Sequence, residues 1–155
     1  MGLTVTIRKA GSSDRLQVAA MRAALWPDGP FEEHLCEFDE LMKTGMSGTL
    51  PAATFVAEDA RGALVGFLDA GLRSHADGCD VSRPVGYVEG WWVRKDLRHC
   101  GIGRALVRAA EGWARDQGCR EIASDALIDN PQSLAAHEAL GFEVVERCFH
   151  FRKAL

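Results

Sequence analysis

DLRHCGIGRAL, residues 96–106, begins where the apolar run VGYVEGWWV at 85–93 gives out, and it ends inside a segment of helical period. From Ile102 the apolar residues fall at 102, 105, 106, 109, 110 and 113, while Arg104, Arg108, Glu111 and Arg115 face away and Gly118 closes the run. That spacing predicts a strand, a short loop and an amphipathic helix. A helix opens on backbone N–H groups that lack intrahelical partners, and its dipole adds partial positive charge there. Bare backbone at Gly101 and Gly103 lets an anion approach those groups, with Arg98 and Arg104 on either side. A Gly-x-Gly by itself also suits a purely structural helix start; the arginine and the strand–loop–helix setting favour a pyrophosphate.

The surrounding chain fixes which pyrophosphate is excluded. No Gly-Lys-Ser/Thr for a magnesium-bound triphosphate follows the glycines. A dinucleotide fold wants Gly-x-Gly-x-x-Gly early in a βαβ unit, whereas Leu106 takes the third position here and the motif lies two-thirds along the chain. Outward from the motif, LTVTIRKA alternates as a strand. SSDRLQVAAMRAAL and FEEHLCEFDELMK read as helices separated by the turn-rich WPDGP. ATFVAED and ALVGFLDAGLRS, joined by ARG, predict an antiparallel hairpin. HADGCDVSRP is a polar loop, REIASDAL a strand, NPQSLAAHEAL a helix opened by Asn-Pro and stopped by Gly141, and FEVVERCFHFRK a last strand. The sum is β-α-α-β-β-β-α-β-α-β in an α+β fold with a mixed sheet, predicted as one domain over 1–155. The helix between strands 85–93 and 120–126 makes those two parallel.

Bulk properties narrow the chemistry. At 155 residues, 47% hydrophobic and 26% charged, the chain is an ordinary globular domain. No leader pattern and no membrane-length apolar run are seen, so the expected location is the cytoplasm, with no membrane partner. Cys36, Cys79, Cys100, Cys119 and Cys148 are odd in number, scattered and without zinc spacing, which predicts reduced thiols and no metal. Net charge is −4, and residues 23–42 hold six acids and no Lys or Arg. Such a field repels nucleic acid and favours cationic ligands, although a solvated helix face has the same composition.

Arg98-x-x-Gly101-x-Gly103 after Trp91-Trp92-Val93 resembles the acetyl-CoA motif of the GCN5-related N-acetyltransferases, and NPQSLAAHEALGF resembles that family's Asn-helix-Gly-Phe segment. The resemblance implies a strand before the glycines that splays from its neighbour, with backbone groups of Trp91, Trp92 and Val93 bonding the pantetheine arm of acetyl-CoA. It implies that the Val93 N–H polarises the thioester carbonyl. Backbone groups of His99, Cys100, Gly101, Ile102, Gly103 and Arg104 would hold the pyrophosphate, with Asn130 near the thiol end. Many members carry a tyrosine as general acid in the last helix; the matching position here is His137, which is also read as a packed or surface histidine.

Within the family the chain is most similar to the aminoglycoside 6′-N-acetyltransferases, through ALWP at 24–27, DGCD at 77–80, VEGWWV at 88–93, CREIASDA at 119–126 and ALGFEVVER at 139–147. That similarity implies drug contacts at Trp26, Glu89, Asp125 and Glu146, with His75 where the branch can use an aromatic residue. Independently, polyamines call for acids, although each acid is by itself equally a solvent-facing residue and Trp26 equally a core one. The expected mechanism is direct transfer: Glu89, alone or through a water, takes a proton from the amine, which attacks the thioester. An acyl-enzyme on Cys100 is disfavoured because that residue should face the pyrophosphate. The rivals are acetylation of another amine, such as a polyamine, an amino acid or a protein N-terminus, and a non-catalytic acetyl-CoA sensor. The family often forms homodimers through its last strands, which VVERCFHF could support or equally not.

Overall fold

A computed structural model describes residues 4–155. Five strands form the order β1-β3-β4-β5-β6: β1 Val5–Lys9, β3 Leu50–Asp59, β4 Leu64–Arg73, β5 Val85–Val93 and β6 Ile122–Ser124. The helices are α1 Arg15–Leu25, α2 Phe31–Thr44, α3 Ile102–Asp116 and α4 Pro131–Glu138. β1, β3, β4 and β5 pair antiparallel, and β5 pairs parallel with β6 across the α3 crossover, as the sequence predicts. A two-residue strand, β2 Met46–Ser47, pairs with Leu50 and Pro51; two residues are too few to show a period in the sequence.

The central strands are buried almost throughout because helices cover both faces. On one side Val18, Met21 and Phe38 of α1 and α2 meet Val56 and Phe67. On the other, Ile102, Leu106, Val107 and Ala110 of α3 meet Ala53, Phe55, Leu68 and Val88. Each large apolar side chain so buried contributes about 1.5–3 kcal/mol. α3 stops as predicted: Gly118 takes the left-handed conformation at φ 86° and its N–H returns to the Arg115 carbonyl.

The expected last strand is not formed within one chain. Residues 143–155 form no ladder with any described residue, and Val145 is 63% and Phe149 79% exposed. The alternating side chains are present, but a strand needs a neighbour, and none of the described residues pairs with this segment.

Candidate active site

Two irregularities in the sheet build the site. First, β5–β6 pairing covers only Gly86, Tyr87 and Val88, so residues 89–93 of β5 have no strand on that side. The Arg94 N–H bonds the Val65 carbonyl. Antiparallel alternation then turns the backbone groups of Val93 and Trp91 away from β4, toward the open side. The Val93 carbonyl accepts from Arg98 Nε at 3.0 Å, which ties the following loop to the strand end. This is the splay expected from the sequence.

Second, the β4–β5 register shifts: Val88 stands opposite Ala70 and Gly90 opposite Asp69, leaving Glu89 as the extra residue of a bulge. Bulges re-aim side chains beside functional sites. Glu89 leans over Gly71, where a Cβ would come within 3.7 Å of Oε1. Beside it the benzo edge of the Trp26 indole, at Cη2 and Cζ2, lies against Gly90, on ground that any side chain at 90 would take. Trp26 is 38% exposed and rests edge-on against Phe67, so it both packs and faces solvent.

The glycine loop fits an anion. His99 at φ 64° and Gly101 at φ 83° are both left-handed, and α3 starts at the next residue, Ile102. A Cβ at Gly101 would meet nothing within 4 Å, so the approach is open and the need for glycine is conformational. Gly103 has a different reason from the one read in the sequence: a Cβ there would stand 2.8 Å from Cζ2 of Trp91. The missing side chain admits the indole, a strand–helix contact visible only once β5 and α3 are packed. Arg104 and Cys100 are exposed, and the Cys100 thiol leans on the Arg98 carbonyl at 3.6 Å. Trp91 packs on the α3 side and Trp92 on the α1 side.

Asn130 caps α4, its Oδ1 accepting from the Ser133 N–H at 3.0 Å. His137 sits edge-on between Trp91 and Phe142. Its Nδ1 faces the Ser133 carbonyl at 2.7 Å, which only accepts, so Nδ1 donates there, and Nε2 lies 2.8 Å from the Ser124 hydroxyl. The second contact holds α4 to β6.

The acids are unequally placed. Asp125, just past β6, accepts from the Tyr87 hydroxyl at 2.8 Å. Burial and this carboxylate push the Tyr87 hydroxyl above its ordinary range, so it stays a donor. Glu89 is held by Arg73. Glu146 lies on the unpaired segment and joins neither: its neighbour Val145 lies against Gly78, in the loop that also carries the exposed His75. Sequence reasoning missed Arg73, and it missed the buried trio Arg22, Asp69 and Thr54 beneath Gly90, where Arg22 bonds both Asp69 oxygens at 2.9 Å. The signals were a charge on the apolar stripe of α1 and another inside the apolar run LVGFLDAGL.

The model of the acetyltransferase (GNAT) family matches residues 18–142. The chain is 41% identical to an aminoglycoside N(6′)-acetyltransferase type 1 of Stenotrophomonas maltophilia, covering 97% of this chain and 94% of the relative. It is 40% identical to the Klebsiella aerogenes enzyme of the same name, covering 96% of each. Among solved structures, AAC(6′)-Iy in complex with the bisubstrate analogue CoA-S-monomethyl-acetylneamine superposes with a TM-score of 0.87 at 35% identity, over 98% of this chain and 99% of that one. AAC(6′)-Ih from Acinetobacter baumannii gives 0.86 at 33%, over 98% and 99%. The splayed strand, the left-handed glycine loop and these matches agree: this chain belongs to the GNAT acetyltransferase family, in its branch of aminoglycoside 6′-N-acetyltransferases.

Proposed function

We propose that this protein is an acetyl-CoA-dependent aminoglycoside 6′-N-acetyltransferase that confers aminoglycoside resistance, acting as a single cytoplasmic domain. The observation that carries the reading is the β5 segment 89–93, which presents a bulged carboxylate at one end and an unpaired backbone edge beside an anion-fitting helix start at the other. Acetyl-CoA supplies the acetyl thioester. Backbone N–H groups of 99–104, with Arg98 and Arg104, hold its pyrophosphate, and the edge at Trp91, Trp92 and Val93 holds the pantetheine arm, with Asn130 near the thiol. The Val93 N–H stabilises charge on the carbonyl oxygen.

Trp26, His75, Glu89, Asp125 and Glu146 receive the drug. At about 3.3 Å per residue, Glu89 and Val93 are about 13 Å apart along the strand, more than one side chain spans, so Glu89 takes the amine proton through a water. The C–N bond forms, the C–S bond breaks, and CoA leaves as a thiolate. With both His137 ring nitrogens engaged by Ser133 and Ser124, solvent protonates that sulfur.

The test is acetyl-CoA-dependent thiol release with matched aminoglycosides bearing an amine or a hydroxyl at the 6′ carbon. Turnover confined to the 6′-amine is expected. Equal turnover of both would move the reaction to another amine. Cofactor binding without turnover on any amine would overturn the catalytic reading.

The protein acts as a homodimer in this reading. β6 is the sheet's outer strand, and residues 143–155 expose the apolar Val144, Val145, Phe149 and Phe151, an arm suited to an edge of a second copy. Light scattering on the full chain is expected to give twice the 16.9 kDa mass, and deletion of 143–155 to give monomers. A monomeric full chain at micromolar concentration would overturn this.

A further inference from the structure

Arg73 ends β4, and its guanidinium makes two parallel bonds to Glu89: Nε to Oε1 at 2.9 Å and Nη2 to Oε2 at 2.7 Å. The same group lies over the face of Tyr87, with Cζ 3.4 Å from the ring centre. The Tyr87 hydroxyl in turn donates to Asp125. One cation thus engages the carboxylate read as the amine's seat, and an aromatic face bonded to the next carboxylate. The side chains of Arg73 and Glu89 are 42% and 39% exposed, so the pair opens without disturbing the core, and pairs of this exposure add little to stability.

The geometry points to Arg73 as a resident cation that fills the amine subsite on Glu89 in the free protein and withdraws when a polycationic substrate arrives. This rests on the aminoglycoside reading above. A guanidinium and an ammonium repel across a shared carboxylate. Productive binding therefore needs the ion pair open. The tethered guanidinium competes at high effective concentration, so a ligand with a single amine is held off Glu89. A polyamine that also engages Asp125 gains enough to displace it. Arg73 filters substrates by charge count.

The test compares wild type with Arg73→Gln, Arg73→Ala and Arg73→Lys, using a 6′-amine aminoglycoside and a sugar carrying only a 6-amine. If the pair is closed about nine-tenths of the time, KM for the aminoglycoside falls about tenfold in Arg73→Gln and Arg73→Ala. The single-amine sugar gains more, and Arg73→Lys stays near wild type. In a Glu89→Gln background the Arg73 changes have no effect on KM. A raised KM or lowered kcat rescued by lysine would make Arg73 a positioning residue for Glu89 and overturn the proposal, as would unchanged constants. Wild type without turnover of any amine would overturn the aminoglycoside reading and this inference with it; wild-type turnover without the gain in affinity overturns this inference alone.

Discussion

Glu89→Gln is expected to lower kcat about a hundredfold at saturating aminoglycoside, toward the lower end of what a general base contributes. The estimate is modest because the proton travels through a water, and solvent partly replaces a relay that already contains one. Glutamine keeps the length and hydrogen-bonding reach of glutamate, so the bulge at 89 survives, with Val88 still opposite Ala70 and Gly90 opposite Asp69. Loss confined to KM would show that Glu89 only seats the cation. An unchanged kcat with an unchanged pH profile would remove it from proton transfer altogether. The measurement also bears on Arg73, because the amide no longer draws the guanidinium.

What the sequence disclosed follows from where each feature's cause lies. β5, α3 and α4 have local causes: an apolar run, a 3.6-residue stripe and glycines at 118 and 141 that take left-handed backbone. All three stand where the pattern puts them. The bulge at Glu89 has no local cause, since it exists only relative to β4. Gly90 and Gly103 look like flexible punctuation in a string of letters. In the fold they are the floors under Trp26 and Trp91, one partner 64 residues away and the other on a different element. The final strand fails for the same reason from the other side: its alternation is legible, and no described residue is its neighbour. Among the site residues, those on β5 and the glycine loop meet, whereas Glu146 waits on that unpaired arm.

Arg22→Ala is expected to cost about 3 kcal/mol of folding stability, the loss typical of breaking a buried ion pair from one side. Side chains of Arg22 and Asp69 are only 6% and 13% exposed, in contrast to the half-open Arg73–Glu89 pair. Without the guanidinium, Asp69 keeps the Thr54 hydroxyl and little else to offset its desolvation. For a chain of this size the melting temperature should fall by roughly 6–12 °C. A loss below about 1 kcal/mol would mean that water enters and resolvates the carboxylate. Arg22 stands one turn before Trp26, and Asp69 pairs with Gly90 beneath that indole, so the ion pair also sets the height of α1 above the bulge. The double variant Arg22→Met with Asp69→Leu separates the two roles, because an apolar pair of similar volume often restores stability. If its melting temperature recovers while KM for the aminoglycoside is raised, the pair is retained for placing Trp26 against Gly90. If both recover, burial alone accounts for it, and the position of Trp26 is set by its packing on Phe67 and Gly90.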